Sequence, residues 1–112
     1  MMMEENQLKD TILQQFLREK KDYIIKKYKP IKFILFGSRV WGEPDEFSDI
    51  DMILVSNEFN REKFAGRMGK ILQELKFHEH IDVLCYTHEE FERKLKDSYI
   101  VRDAVKKGYN VI

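Results

Sequence analysis

Three apolar runs of strand length set the main limits on how this chain can fold. They are Ile31–Phe36 (IKFILF), Ile50–Val55 (IDMILV) and His80–Tyr86 (HIDVLCY), each short and bounded by polar or turn-forming residues. Around them the apolar spacing changes to the helical period. From Glu4 to about Tyr28, Leu8, Ile12, Phe16 and Leu17 recur at that spacing, and Ile24 and Tyr28 continue it. Pro30 ends this helix, because the residue before a proline is pushed towards extended geometry. Phe64, Met68, Ile71, Leu72 and Leu75 mark a second amphipathic helix between the last two strands. Thr87 opens THEE with Glu90 three residues on, a capping box that predicts a helix directly after the third strand. A last helix is expected from about Ser98 to Lys107, closed by Gly108, and the tail YNVI is open between an edge strand and a loop. This order predicts an α/β fold: a small mixed sheet of three to four strands covered by helices, in one domain over residues 1–112.

Twenty basic residues balance twenty acidic ones, so bulk charge gives no case for nucleic-acid or membrane binding. The single cysteine, Cys85, excludes an intrachain disulfide. The opening MMMEENQLKD is acidic and polar where a secretory signal needs a basic and then an apolar segment. No apolar run approaches the roughly 20 residues that span a bilayer. A cytoplasmic location is the expectation.

The chemistry concentrates in FGSRVWGEPDEFSDIDMILV, Phe36 to Val55. Side chains alternate along a strand, so Asp49 and Asp51 share a face with Cα atoms about 6.5–7 Å apart. Two carboxylates beside apolar neighbours repel and lose hydration unless a positive group sits between them, and a hard cation with oxygen ligands removes the conflict. The alternative is that Asp49 caps a turn and Asp51 faces solvent, since an isolated D-x-D pattern is common. Gly37 and Ser38 shift the balance. They follow a strand directly, where a tight turn into a helix leaves backbone N–H groups free to cradle phosphate, and the serine hydroxyl adds a donor. Two other glycine motifs fail: Glu43 stands where a P-loop needs its lysine, and Arg39 takes the second glycine position of a dinucleotide fingerprint.

GSRVWGEPDEFSDIDMILV resembles the G-S-x-x-x-G-x(5)-S-D-x-D signature of the DNA polymerase β-like nucleotidyltransferase superfamily in its minimal (MNT) form. Asp82 in HIDVLCY stands where the family carries a third carboxylate, and the ending DAVKKGYNVI is similar to that of minimal members. The resemblance implies Mg²⁺ held by Asp49, Asp51 and Asp82, with ATP as substrate. It implies the β- and γ-phosphates on Gly37 and Ser38, with Arg39 and Ser48 also at the nucleotide. Asp82 would share a metal or take the proton from an acceptor hydroxyl, pyrophosphate would leave, and AMP would remain on the acceptor. The implied partner is a HEPN-type toxin, which MNT antitoxins neutralise. Two other classes compete: a binding module that inhibits its partner by occlusion without chemistry, and a small-molecule nucleotidyltransferase. Oligomer formation is open.

Two positions depart from the family pattern: Val40 and Trp41 replace a frequent Ala and Arg. Arg39 either supplies the missing charge to phosphate or is a surface residue without a role, and Trp41 is a candidate core anchor. His78, His80, Cys85 and His88 form a loose zinc-like set, which strand alternation argues against because it turns Cys85 away from Asp82. REKKDYIIKKYK reads as a solvated basic face, with a contact surface for RNA or an acidic partner protein as the alternative. Tyr99 and Tyr109 are candidate interface residues.

Overall fold

The computed structural model describes residues 8–112. Helix α1 spans Thr11–Tyr28, and strand β1 (Lys32–Phe36) leads into the single-turn helix α2 (Ser38–Trp41). Strand β2 (Ile50–Val55), a 3₁₀ turn (Asn57–Arg61) and helix α3 (Phe64–Leu75) follow. Strand β3 (Ile81–Tyr86), helices α4 (His88–Asp97) and α5 (Tyr99–Lys107), and the short strand β4 (Tyr109–Asn110) complete the order. Among the described residues no helix is long and apolar enough to cross a membrane.

Helix α1 starts later than apolar spacing alone suggests. Asp10 accepts a hydrogen bond from the Leu13 amide at 2.9 Å and caps the helix, leaving Leu8 outside it. The part of the expected helix before residue 8 lies outside the described residues. At its other end Lys29 takes a left-handed conformation, φ 46°, just before Pro30. Of the two tyrosines of the basic run, Tyr28 is buried and Tyr23 is exposed. Tyr23 and Tyr28 hydroxyls each donate to Glu74 of α3 at 2.6 Å, which clamps α1 to α3.

The sheet order is β3-β2-β1-β4, with β2 and β3 parallel and the other pairs antiparallel. Each strand shows one face to α1 and α3, and the other to α4 and α5. Phe16, Ile24, Ile71 and Leu75 belong to the cluster that includes Phe33, Leu35, Met52, Leu54 and Val83. Phe91, Val101 and Ala104 cover Ile34, Ile53, Val55 and Tyr86 on the second face. Cys85 lies in the first cluster, where burial pushes its thiol up to about 12, so it behaves as a small apolar group.

Arg67 ties the layers together. It is buried, pairs with Glu90 at 2.6 Å, and donates to the carbonyls of Glu62 and Cys85. Glu90 also closes the expected capping box with Thr87, so one carboxylate starts α4 and fixes it to α3. Of the two candidate interface tyrosines, Tyr99 is exposed, whereas Tyr109 is a buried core residue beside β1.

Gly108 ends α5, but its backbone is extended, so packing rather than conformation requires glycine. A Cβ there would stand 2.7 Å from the Leu35 carbonyl oxygen and 2.8 Å from Ile34 Cγ2. Gly108→Ala is therefore expected to lower stability by about 1–3 kcal/mol through displacement of β4 from β1. Urea denaturation checks this, and an unchanged midpoint would refute the packing argument.

Candidate active site

The parallel pairing of β2 with β3 places Asp51 directly opposite Asp82, and Ile50 opposite Ile81. The Ile50 amide donates to the His80 carbonyl at 2.9 Å, so Asp49 and His80 sit side by side at the entry to the two strands. His80 Nδ1 lies 3.1 Å from Asp49 Oδ1. On the other side of β2, Phe36 is the antiparallel partner of Asp51. Three carboxylates thus occupy one end of the sheet face whose other end is covered by α4 and α5. That convergence needs both the period-two alternation and the parallel register.

Gly37 joins β1 to α2 with φ 85°, a conformation side chains rarely adopt. A Cβ there would also overlap Asp51 Oδ2 and come within 3.1 Å of Asp51 Cγ. The backbone at Gly37 is therefore pressed against the carboxylate, and only glycine permits the approach. Helix α2 starts at Ser38, so its first amides have no intrahelical partner, and the turn closes through the Gly42 amide donating to the Ser38 carbonyl at 2.9 Å.

Burial pushes the Asp51 carboxyl up to about 6; the negative charges of Asp82 and Asp49 add to the shift, and His80 opposes it. The group is thus short of positive charge at neutral pH. Among the described residues no group of three His, Cys, Asp or Glu is arranged to hold a metal ion unaided. The donor set fits a hard cation whose shell is completed by phosphate oxygens, which is how Mg²⁺ is usually bound.

Arg39 is neither a surface residue nor directed at the phosphate turn. It is buried, with Nε donating to the Ser48 carbonyl at 3.0 Å, Nη1 to Asp10 Oδ2 at 3.1 Å and Nη2 to the Asp45 carbonyl at 3.5 Å. It fixes the loop that carries Asp49 to the cap of α1. Ser48 closes the same loop: its hydroxyl accepts from the Asp45 amide at 3.0 Å. Trp41 is 40% exposed rather than a core anchor, with its ring 6.3 Å from that of Phe36. The zinc-like set is dispersed, since His78 neighbours Glu79, His88 neighbours Glu92 and Cys85 is buried. Only His80 of that set reaches the site. Sequence spacing gave it no role; the signal available was its position two residues before Asp82, matching Asp49 before Asp51.

The sequence matches the family model of the nucleotidyltransferase domain over residues 17–109. No curated protein matches it at a significant level. Among solved structures, a protein from Sulfolobus solfataricus assigned as a nucleotidyltransferase superposes with a TM-score of 0.50 at 18% identity. The match covers 76% of this chain and 81% of that one, and at this identity the likeness is one of fold.

Two predictions follow from the geometry. The raised Asp51 pKa means the folded protein holds this proton more tightly than the unfolded chain, so stability is lost as pH rises through about 6. Asp51→Asn should stabilise the metal-free protein at pH 7 by about 1 kcal/mol after allowance for solvent screening, and the gain should vanish near pH 4. Paired denaturation curves at the two pH values test it, and a pH-independent difference would refute the electrostatic cause. Arg39→Ala should cost about 2–4 kcal/mol of stability, because it leaves buried partners unsatisfied. A variant with reduced nucleotide affinity but wild-type melting behaviour would return Arg39 to the phosphate.

Proposed function

This chain belongs to the nucleotidyltransferase domain family, and from that premise we propose that it transfers AMP from ATP to an acceptor hydroxyl in an Mg²⁺-dependent reaction. The reading is carried by one observation: Asp51 stands beside Asp82 in register, with the Gly37 backbone packed on the Asp51 carboxylate. Asp49, Asp51 and Asp82 would hold Mg²⁺. When bound, the cation would neutralise charge on the phosphates and the carboxylates together. Gly37 and Ser38 would position the β- and γ-phosphates through the free amides of the turn. His80, beside Asp49, would hold that carboxylate's orientation. Asp82, exposed at the edge strand, is placed to take the proton of the incoming hydroxyl. The acceptor oxygen bonds to the α-phosphorus, the bond to pyrophosphate breaks, and the proton passes through Asp82 to water.

The acceptor is proposed to be a hydroxyl of a partner protein. By resemblance that partner is of HEPN type, and the chain acts in the cytoplasm as one minimal MNT antitoxin domain of residues 1–112. A second reading is inhibition by occlusion without chemistry, for which a damaged carboxylate set is the expectation, whereas Asp49, Asp51 and Asp82 are all present.

Incubation with α-labelled ATP, Mg²⁺ and the product of the neighbouring gene separates the two. Label on the partner should fall at least about a hundredfold in Asp49→Asn/Asp51→Asn. Absence of label, with both proteins binding the partner equally, would replace transfer by occlusion.

A further inference from the structure

A hollow of about 350 Å³ opens between the start of α3 and α4, at the Tyr86 end of β3. That volume is within the range of small-ligand pockets, roughly 300–1,000 Å³. Tyr86 stands at the opposite end of β3 from Asp82, about 13 Å away at strand rise, so the hollow is separate from the carboxylates. Its floor is aromatic. Phe64 is 53% exposed, and its ring stacks on that of Tyr86 with centroids 6.0 Å apart and planes 17° from parallel. Arg67 steadies the pair, its guanidinium 5.5 Å from the Phe64 centroid.

Tyr86 is only 4% exposed, but its hydroxyl has no hydrogen-bond partner among the described residues. Buried tyrosine hydroxyls ordinarily find one. Among the described residues no side-chain oxygen sealed from solvent is left unpaired, so this hydroxyl is the part of Tyr86 that surfaces, and it surfaces in the hollow. Burial raises its pKa and the charge of Glu90 adds to the shift, so at neutral pH it offers an O–H donor. Helix α4 supplies the wall. Glu90, Arg93, Lys94 and Asp97 recur at i, i+3, i+4 and i+7, on one face. Glu90 is already engaged, by Arg67 at 2.6 Å and the Thr87 amide at 2.8 Å. Arg93 makes an exposed contact with Glu89 at 3.5 Å, which contributes little. Lys94 and Asp97 make no ion pair among the described residues. With Glu90 offset by Arg67, the wall carries two cations against one carboxylate, a balance of one positive charge.

We propose that this hollow is a second ligand site, and that it binds a small organic monoanion: a carboxylate carried on a flat apolar body. The carboxylate accepts hydrogen bonds from the Tyr86 hydroxyl and from Arg93 and Lys94, while the body packs on the open part of the Phe64 ring. A neutral analogue forfeits the charge-assisted bonds, and a doubly charged phosphate ester brings excess negative charge against Asp97. An occupant held this way touches α3, β3 and α4 together, and adds to the link that Arg67 and Glu90 make between the two helices. The assignment is independent of nucleotidyl transfer.

The test titrates ¹⁵N-labelled protein with phenylacetate, and with benzyl alcohol and phenyl phosphate as comparison probes, in the wild type, Tyr86→Phe and Arg93→Ala/Lys94→Ala. Phenylacetate should give saturable shifts at the amides of Phe64, Tyr86, Lys94 and Asp97. It should bind more tightly than phenyl phosphate and at least about tenfold more tightly than benzyl alcohol. Affinity should fall about tenfold or more in the double variant, and about three- to tenfold in Tyr86→Phe, which keeps the ring and its stacking on Phe64. Arg93 and Lys94 are exposed, so the double variant should melt like the wild type, which makes its loss of binding local. Shifts that do not saturate or that fall on other residues overturn the site, as does equal binding of benzyl alcohol or undiminished affinity in Tyr86→Phe. Tighter binding of phenyl phosphate overturns the assignment to a monoanion.

Discussion

The parallel pairing of β2 and β3 is the constraint on which the site depends. Parallel strands enter the sheet from the same end, so their first residues lie side by side, and here those residues bring Asp51 against Asp82 and Asp49 against His80. An antiparallel pairing would send one carboxylate to the far end, under α4 and α5. A one-residue slip would turn Asp82 into the core and Val83 out of it, which the buried cluster of Val83, Met52 and Leu54 forbids. The apolar core thus fixes the position of the charges.

The same pairing explains the turn after β1. Antiparallel to β2, β1 ends opposite Asp51, and the chain must leave the sheet beside that carboxylate. Only a residue without a side chain can do so at φ 85°. Gly37 is therefore required twice over, by its own backbone and by its neighbour's oxygen. Arg39, two residues later, then draws the return loop inward by reaching the Asp45 and Ser48 carbonyls, and so delivers Asp49 to the start of β2.

Much of this was legible in the sequence because it depends on local pattern. The period-two alternation put Asp49 and Asp51 on one face, and THEE announced its capping box. The strands agree with the expected runs to within one residue at each end. What escaped depends on contacts far apart in the chain. Arg39 meets Asp10 across 29 positions, and the α1 tyrosines meet Glu74 across 51 and 46. No spacing rule encodes such pairs, so Arg39 looked like a phosphate ligand or a surface residue, and Tyr28 like part of a solvated face. The 3₁₀ turn Asn57–Arg61 escaped too, since its start is set by the Ser56 hydroxyl accepting the Glu58 amide.

The location of the carboxylates also follows from what the helices leave bare. On the second sheet face, α4 and α5 cover Ile34, Ile53, Val55 and Tyr86, one end of three strands. Extending that cover over the other end would bury like charges without partners, at a cost of several kcal/mol each. A domain of this size has a net stability of only about 5–15 kcal/mol, which cannot absorb such a burial. Uncovered, Asp49 and Asp82 keep their hydration, whereas Asp51 is wedged between Phe36, Gly37 and Asp82 and its carboxyl is pushed upward by burial. The fold therefore stays stable by leaving open the end of the sheet where a cation and phosphates can supply the missing charge.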